Sequence, residues 1–168
     1  DAMPKTCSER AAPETTRVVL HGPTMGTRWS ATCELAPQID ARALQRDLAA
    51  TVERVDAQMS PWRSDSCLVQ LNQAPVGAWF ALTTEMLQIL ACALDIGRLS
   101  QGAFDIGVGA LVDAWGFGAA RSAPDASAIR AARALAHGPA HETLELDLHA
   151  GRARKLAPLQ IDLCGIAK

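Results

Sequence analysis

One apolar stripe constrains the fold of this chain more than any other feature of its sequence. Between residues 41 and 59, large apolar residues recur every three or four positions, at Leu44, Leu48, Val52, Val55 and Met59. This spacing places them on one face of an α-helix, and the charged residues between them fall largely on other faces. Asp40 is suited to cap the first turn, and Pro61 marks the end. We therefore predict a packing helix over 41–59.

Elsewhere the apolar period changes to two, which predicts strands. Leu144, Leu146 and Leu148 point one way while the acidic residues between them point the other way, and a turn at 149–151 leads into a second strand. The other predicted elements are strands at 17–20, 28–35 and 158–163, a turn at 21–26, and helices at 85–99 and 128–137, the last capped by Ser127. Hairpins and separate helices together predict an α+β fold with a mixed, largely antiparallel sheet and packed helices.

Charge and composition argue against two classes of partner. The 168 residues carry a net charge of −2 and lack the basic surplus that nucleic-acid binding requires. No apolar run reaches the ~18 residues of a membrane span. The five cysteines include no CxxC pair, so no metal or redox motif of that kind is present. Residues 1–16 are polar and carry two prolines, which predicts a flexible tail before an ordered region at 17–168.

Two stretches in the first half carry residues suited to a ligand. Met25-Gly26-Thr27 combines a glycine with a hydroxyl, although a plain turn between two strands explains it as well. The stretch 59–72 places Trp62 in a loop directly after the long helix. An indole there is either a stacking platform for a flat ring or a plug for the end of the core, and the stretch alone favours neither.

Two further stretches follow in the second half. Residues 102–118 contain five glycines in seventeen positions, with Asp105 and Asp113 between them. The stretch matches neither a dinucleotide fingerprint nor a P-loop, and it either lines a ligand or lets helices pack. Asp162 lies at the end of a predicted strand, with Gly165 and Lys168 beyond it, and the three could form an anion and metal corner. We expect the carboxylates of Asp105 and Asp162 to serve ligand binding and not folding.

In this order the four stretches resemble the FAD:protein FMN transferases, the ApbE family. The matching features span residues 22–168. The resemblance implies an Mg²⁺-dependent enzyme that splits FAD at its pyrophosphate, releases AMP and attaches FMN to a Thr or Ser of a target flavoprotein. It implies FAD contacts at Met25, Trp62, Ala103, Phe104, Asp105, Asp162 and Lys168, and a magnesium ligand at Gly165. Trp62 stands where the family usually has tyrosine, and the position of Lys168 varies among relatives.

The resemblance also implies a location and a missing part. Family members are often lipoproteins of the periplasm, anchored to the inner membrane, and are roughly twice this length. Their catalytic histidine and their aspartate and threonine metal ligands belong to a second half, which nothing in residues 1–168 matches. We expect 17–168 to be the FAD-binding N-terminal half of a domain that continues beyond 168, with the C-terminal half as its partner. The alternatives are a non-catalytic FAD-binding homologue and a maturation factor for a respiratory flavoprotein complex.

Overall fold

The structure is a computed structural model that describes residues 14–118, 123–134 and 138–167. The chain divides into two units, at Val52, inside its longest helix. Most of the predicted tail lies outside the described residues, and Thr16, its last member, already belongs to the first strand.

The first unit contains an antiparallel hairpin and the start of the long helix. Strands β1 (Thr16–Thr24) and β2 (Thr27–Leu35) pair along their whole length, from Thr16 with Leu35 to Thr24 with Thr27. The predicted turn at 21–26 is therefore too long, because 21–24 pair with 27–30 in the ladder. The two turn residues, Met25 and Gly26, have φ values of 40° and 71°, as in the turns whose twist suits a tight hairpin.

Helix α1 (Ala41–Met59) has the bounds that the apolar stripe predicted. The carboxylate of Asp40 accepts a hydrogen bond from the backbone N–H of Arg42 at 2.9 Å, which confirms its capping role. The helix is fastened to the hairpin by Gln45, whose side chain accepts from the N–H of His21 and donates to its carbonyl. Of the stripe residues, Met59 is buried, whereas Leu44, Leu48, Val52 and Val55 are half-buried.

The second unit combines helices with a small antiparallel sheet in the strand order β3-β5-β4. Its elements are α2 (Cys67–Gln73), β3 (Phe80–Ala81), α3 (Thr84–Leu99), a 3₁₀ turn (Ile106–Val108), α4 (Gly109–Ala114), α5 (Ala126–Ala134), α6 (Ala140–Thr143), β4 (Leu144–Asp147) and β5 (Arg152–Lys155). The most deeply buried large apolar side chains are Leu68, Leu71, Met86, Leu90, Ile106 and Leu163. The predicted α+β class with antiparallel strands is confirmed.

In three further stretches the structure differs from the sequence analysis or adds to it. The glycine-rich stretch at 102–118 is partly helical, at Ile106–Val108 and Gly109–Ala114. Helix α5 begins at Ala126, and its cap is Asp125, not Ser127. Hydrogen bonds from the Ser127 hydroxyl and from the N–H groups of Ala128 and Ser127 hold the pKa of Asp125 below its usual range. The predicted end of that helix, at 135–137, lies outside the described residues.

The third difference is that Pro158–Leu163 is not a strand of the sheet. Its backbone is extended, yet its hydrogen bonds go to the side chain of Asn72 and to the backbone of Ile106 and Gly109. The predicted strand at 158–163 is therefore wrong, because a side chain on one flank and helical backbone on the other take the place of neighbouring strands.

Helices long and apolar enough to cross a membrane are absent from the part of the chain that the structure describes.

The start of helix α2 offers a direct test of the fold. The hydroxyl of Ser66 accepts from the N–H of Val69 at 3.2 Å and donates to the carbonyl of Ser60 at 2.7 Å, and Ser66 is fully buried. We expect Ser66→Ala to lower the free energy of unfolding by about 1–3 kcal/mol, because a helix cap is lost and a buried carbonyl loses its donor. Urea denaturation measures the change. The exposed Ser64→Ala is the control, and equal stability of both variants would contradict this prediction.

Candidate functional site

The second unit contains a cavity of about 540 Å³ that is lined by aromatic rings and carboxylates. We call it the aromatic pocket, and its lining residues are Trp62, Gly102, Ala103, Phe104, Asp105, Ile106, Val108, Val112, Phe117, Asp162, Cys164 and Gly165. Its volume lies within the range of about 300–1,000 Å³ that is typical of sites for small molecules and cofactors. Flat apolar faces beside a few polar groups are suited to an aromatic heterocycle with polar edges.

A second cavity, of about 680 Å³, shares Asp105, Val108 and Asp162 with the aromatic pocket. Its lining also includes Asp113 and the buried Lys155. The side chain of Gln160 donates to the carboxylate of Asp113 at 2.5 Å. The two shared aspartates therefore lie at the boundary between the two cavities.

Trp62 is placed in the aromatic pocket by the loop between α1 and α2. Its backbone N–H donates to the hydroxyl of Ser60 at 3.3 Å, and the carbonyl of Ser60 is held in turn by the Ser66 cap. The indole Nε1 is buried and has no hydrogen-bond partner among the described residues. A buried donor without an acceptor costs free energy, which makes this N–H an exception that needs an explanation.

The same loop is anchored by Arg63. Its guanidinium donates two hydrogen bonds of 3.2 Å to the carboxylate of Asp65, and it also pairs with Glu53 and lies 3.7 Å from Asp56. The pair raises the pKa of Arg63 and lowers that of Asp65, in both cases chiefly through the hydrogen bonds between them. The positive charge of Arg63, the residue after Trp62, is therefore paired with carboxylates on α1 and with Asp65.

The C-terminal end of α3 places Ala103 and Phe104. Gln101 and Gly102 both have positive φ, 54° and 81°, which ends the helix and turns the chain toward the pocket. The N–H of Gly102 donates to the carbonyl of Gly97 at 2.9 Å. The hydroxyl of Ser100 accepts from the N–H of Phe104 at 3.0 Å, which fixes the residue that carries the ring.

Asp105 has a structural role that the sequence did not predict. Its Oδ1 accepts from the N–H of Gly107 at 2.8 Å and from the N–H of Ala140 at 2.9 Å. One carboxylate oxygen thus caps the 3₁₀ turn and ties it to α6. These two hydrogen bonds indicate a structural role for Asp105, and its role in ligand binding stays a prediction.

Asp162 and Gly165 lie on the segment that closes the pocket. The Oδ1 of Asp162 accepts from the N–H of Cys164 at 2.6 Å, which starts a tight turn directly after the extended segment. A Cβ at Gly165 would approach the Phe104 ring to 3.3 Å, so glycine lets the backbone lie close to this ring. The turn therefore presents backbone to the pocket.

The structure gathers six of the eight residues named from the sequence around one pocket: Trp62, Ala103, Phe104, Asp105, Asp162 and Gly165. Met25 belongs to the hairpin of the first unit, and Lys168 lies outside the described residues, so their roles remain predictions. Phe117 and Cys164 also line the pocket, and neither was among the residues predicted from the sequence. The flanking aromatic spacing in Trp115-Gly116-Phe117 was the available signal for Phe117.

The residues around Gly165 do not by themselves form a magnesium site. Among the described residues, no group of three or more His, Cys, Asp or Glu side chains is arranged to hold a metal ion. Mg²⁺ requires six oxygen ligands in near-ideal geometry. The aromatic pocket offers two carboxylates and nearby backbone carbonyls, which is part of such a shell.

The cap made by Asp105 generates a test that separates folding from ligand binding. We expect Asp105→Ala to lower the free energy of unfolding by about 0.5–2 kcal/mol, because both N–H groups lose their acceptor. Asp105→Asn keeps an acceptor oxygen and should melt close to the wild type. Thermal melts without any ligand measure both. An Asp105→Ala protein as stable as the wild type would show that the cap contributes nothing.

Comparison with known proteins shows which proteins the chain resembles in sequence. Over 127 residues the chain is 38% identical to a protein of Klebsiella pneumoniae named FAD:protein FMN transferase, which covers 74% of this chain and 36% of that protein. Over 157 residues it is 36% identical to a Vibrio cholerae protein of the same name, covering 90% of this chain and 46% of that protein. The chain thus spans about half or less of the length of these curated relatives.

Comparison with solved structures points to the same family. The flavin transferase ApbE from Vibrio cholerae superposes with a TM-score of 0.80 at 34% sequence identity, over 92% of this chain and 50% of the other. The sequence model of the ApbE family matches residues 25–168, which include every motif that forms the aromatic pocket. On this evidence the chain belongs to the ApbE family.

Proposed function

We propose that this chain is the flavin-nucleotide-binding part of an FAD:protein FMN transferase. The observation that carries the proposal is the aromatic pocket, which joins a buried, unpartnered indole N–H with two carboxylates in a family whose similar members bear that name. The acceptor hydroxyl of a Thr or Ser in a target flavoprotein attacks the FMN-side phosphorus of FAD. The bond to the bridging oxygen breaks, AMP leaves with that oxygen, and the hydroxyl proton passes to a base.

The pocket accounts for the binding part of this reaction. The ring of Phe104 and the indole of Trp62 offer apolar faces for a flat heterocycle, and ring stacking contributes about 0.5–1.5 kcal/mol beyond surface burial. The indole N–H can donate to a heterocycle or phosphate oxygen. The carboxylates of Asp105 and Asp162 can accept from amino or ribose hydroxyl groups.

Electrostatics support a requirement for Mg²⁺. The described residues that line the aromatic pocket include two carboxylates and neither lysine nor arginine. A pyrophosphate beside two carboxylates needs positive charge, and phosphoryl transfer depends on such neutralisation more than on covalent help. Mg²⁺ is the divalent ion that supplies it, and we propose the carbonyl of Gly165 as one of its ligands. Lys168 lies outside the described residues.

We further propose that the catalytic base and the remaining metal ligands belong to a second half of the protein, as the resemblance implies. Histidine is absent from the described residues that line the aromatic pocket. The proposal includes a flavoprotein target and a location in the periplasm with a lipid anchor in the inner membrane. The alternative is that this chain binds FAD without turning it over.

The transfer reaction is testable with the intact protein. FAD, Mg²⁺ and a peptide with an acceptor threonine are mixed with it, and mass spectrometry detects peptide that carries FMN while chromatography detects AMP. We expect the FMN-carrying peptide and AMP in equal amounts. Neither product should form when a chelator is present or when valine replaces the acceptor threonine of the peptide. Tight FAD binding without AMP would favour the binding-module alternative, and absence of FAD binding would contradict the proposal.

Trp62 allows a test of the binding mode. We expect Trp62→Ala to weaken FAD binding by about 1 kcal/mol or more, roughly fivefold, because ring contact and N–H are both lost. Trp62→Phe keeps the ring and should lose less. Titration followed by flavin fluorescence measures the affinities. The exposed Trp115→Ala is the control, and unchanged affinity in a folded Trp62→Ala protein would assign the indole to the core alone.

A further inference from the structure

The extended segment at 160–162 is fixed on both flanks. On one flank, the N–H of Gly109 donates to the carbonyl of Gln160 at 2.9 Å, and the N–H of Asp162 donates to the carbonyl of Ile106 at 2.8 Å. On the other flank, the amide of Asn72 donates to the carbonyl of Ile161 at 2.9 Å and accepts from its N–H at 2.8 Å. The Asn72 side chain thus pairs with Ile161 as a neighbouring strand would.

Asn72 is itself held by a buried cation. The ammonium of Lys155 donates to the backbone carbonyl of Asn72 at 2.5 Å. Asn72 lies in the last turn of α2, where carbonyls lack helical partners and a positive charge is favourable. Lys155 is only 5% exposed, and burial lowers its pKa. Among the described residues it has no carboxylate partner within salt-bridge distance, so this buried charge is not part of an ion pair.

The pairing controls which way Asp162 points. Ile161 and Leu163 are 2% and 1% exposed, and Asp162 lies between them at the boundary of the two cavities. Side chains alternate along extended backbone, so two core residues flank one that faces the pocket. A shift of Ile161 along the direction of the extended segment would move the carboxylate of Asp162 and the turn at Gly165 together.

We propose that Asn72 is a positioning residue for the aromatic pocket, which it serves by fixing Ile161, and that Lys155 supports it by holding its backbone. The proposal rests on the function proposed above, since it gives the pair a role in the geometry of FAD binding. A displacement of about 1 Å in the residues that contact a ligand greatly reduces the activity of a site. Residues behind them that fix their positions prevent such a displacement.

The test uses the intact protein and Asn72→Asp. This change keeps size but replaces the amide donor by a second acceptor opposite the carbonyl of Ile161, so that hydrogen bond is lost while the N–H of Ile161 keeps an acceptor. Gln70→Glu is the matched control, because it makes the same chemical change on the same helix, where the amide donates to the carbonyl of Asp65 at an exposed site. We expect Asn72→Asp to weaken FAD binding at least fivefold in the folded protein, and Gln70→Glu to change it less than twofold.

Two further variants separate positioning from plain stability. In an Asp162→Asn background, Asn72→Asp should weaken FAD binding by a smaller factor than in the wild type, because the carboxylate is already gone and only the displacement of the turn at Gly165 remains to act. In Lys155→Met the lost hydrogen bond is offset by removal of a buried charge, so the melting temperature should stay near that of the wild type while FAD affinity falls. An Asn72→Asp protein that melts lower but binds FAD as the wild type does would overturn the proposal.

A measurement without FAD keeps the inference separate from the proposed function. Hydrogen exchange of the Asp162 and Cys164 amides reports the segment directly. We expect it to rise at least tenfold in Asn72→Asp and to stay unchanged in Gln70→Glu. Unchanged exchange in Asn72→Asp would overturn the positioning role whatever the FAD result. A wild-type protein that fails to bind FAD would instead contradict the proposed function.

Discussion

The pairing between the side chain of Asn72 and the backbone of Ile161 joins residues 89 positions apart, and the pocket depends on it. Each of its two hydrogen bonds contributes only about 1 kcal/mol net, but buried backbone groups left unpaired would cost more. Because the pairing holds the segment at 160–162 against α2, the 3₁₀ turn and α4 can pack on its other flank. The aromatic pocket and the second cavity lie on either side of the aspartates that this arrangement places.

The pocket's chemistry follows from what surrounds these aspartates. Rings from the loop after α1 and from the end of α3 line the same cavity as two carboxylates, and its described lining includes neither lysine nor arginine. Such a surface holds a neutral aromatic ligand readily but repels a pyrophosphate unless positive charge comes from elsewhere. A flavin dinucleotide with Mg²⁺ meets both conditions, which links the local electrostatics to the activity proposed for the whole protein.

Apolar periodicity predicted the elements that depend on the local sequence pattern. Its predictions were wrong where contacts with residues distant in sequence determine the structure. The bounds of α1 and the hairpin of β4 and β5 follow from apolar spacing within one segment. The segment at 158–163 has the same local pattern as a strand, yet its partners are Asn72 and helical backbone, which no local pattern encodes. Asp105 was assigned to a ligand because glycines surround it, whereas its carboxylate also accepts from Ala140, 35 residues away. The motifs located the pocket because ligand-lining backbone needs glycines and aromatics in short runs.

The central claim is that a flavin dinucleotide binds in the aromatic pocket. A crystal structure of the intact protein with FAD and Mg²⁺ tests it most directly. The account predicts a ring of the ligand within stacking distance of Trp62 or Phe104, an acceptor atom within hydrogen-bonding distance of the indole N–H, and the carboxylate of Asp162 in contact with the ligand. FAD bound at another surface, with the pocket filled by protein side chains, would contradict it.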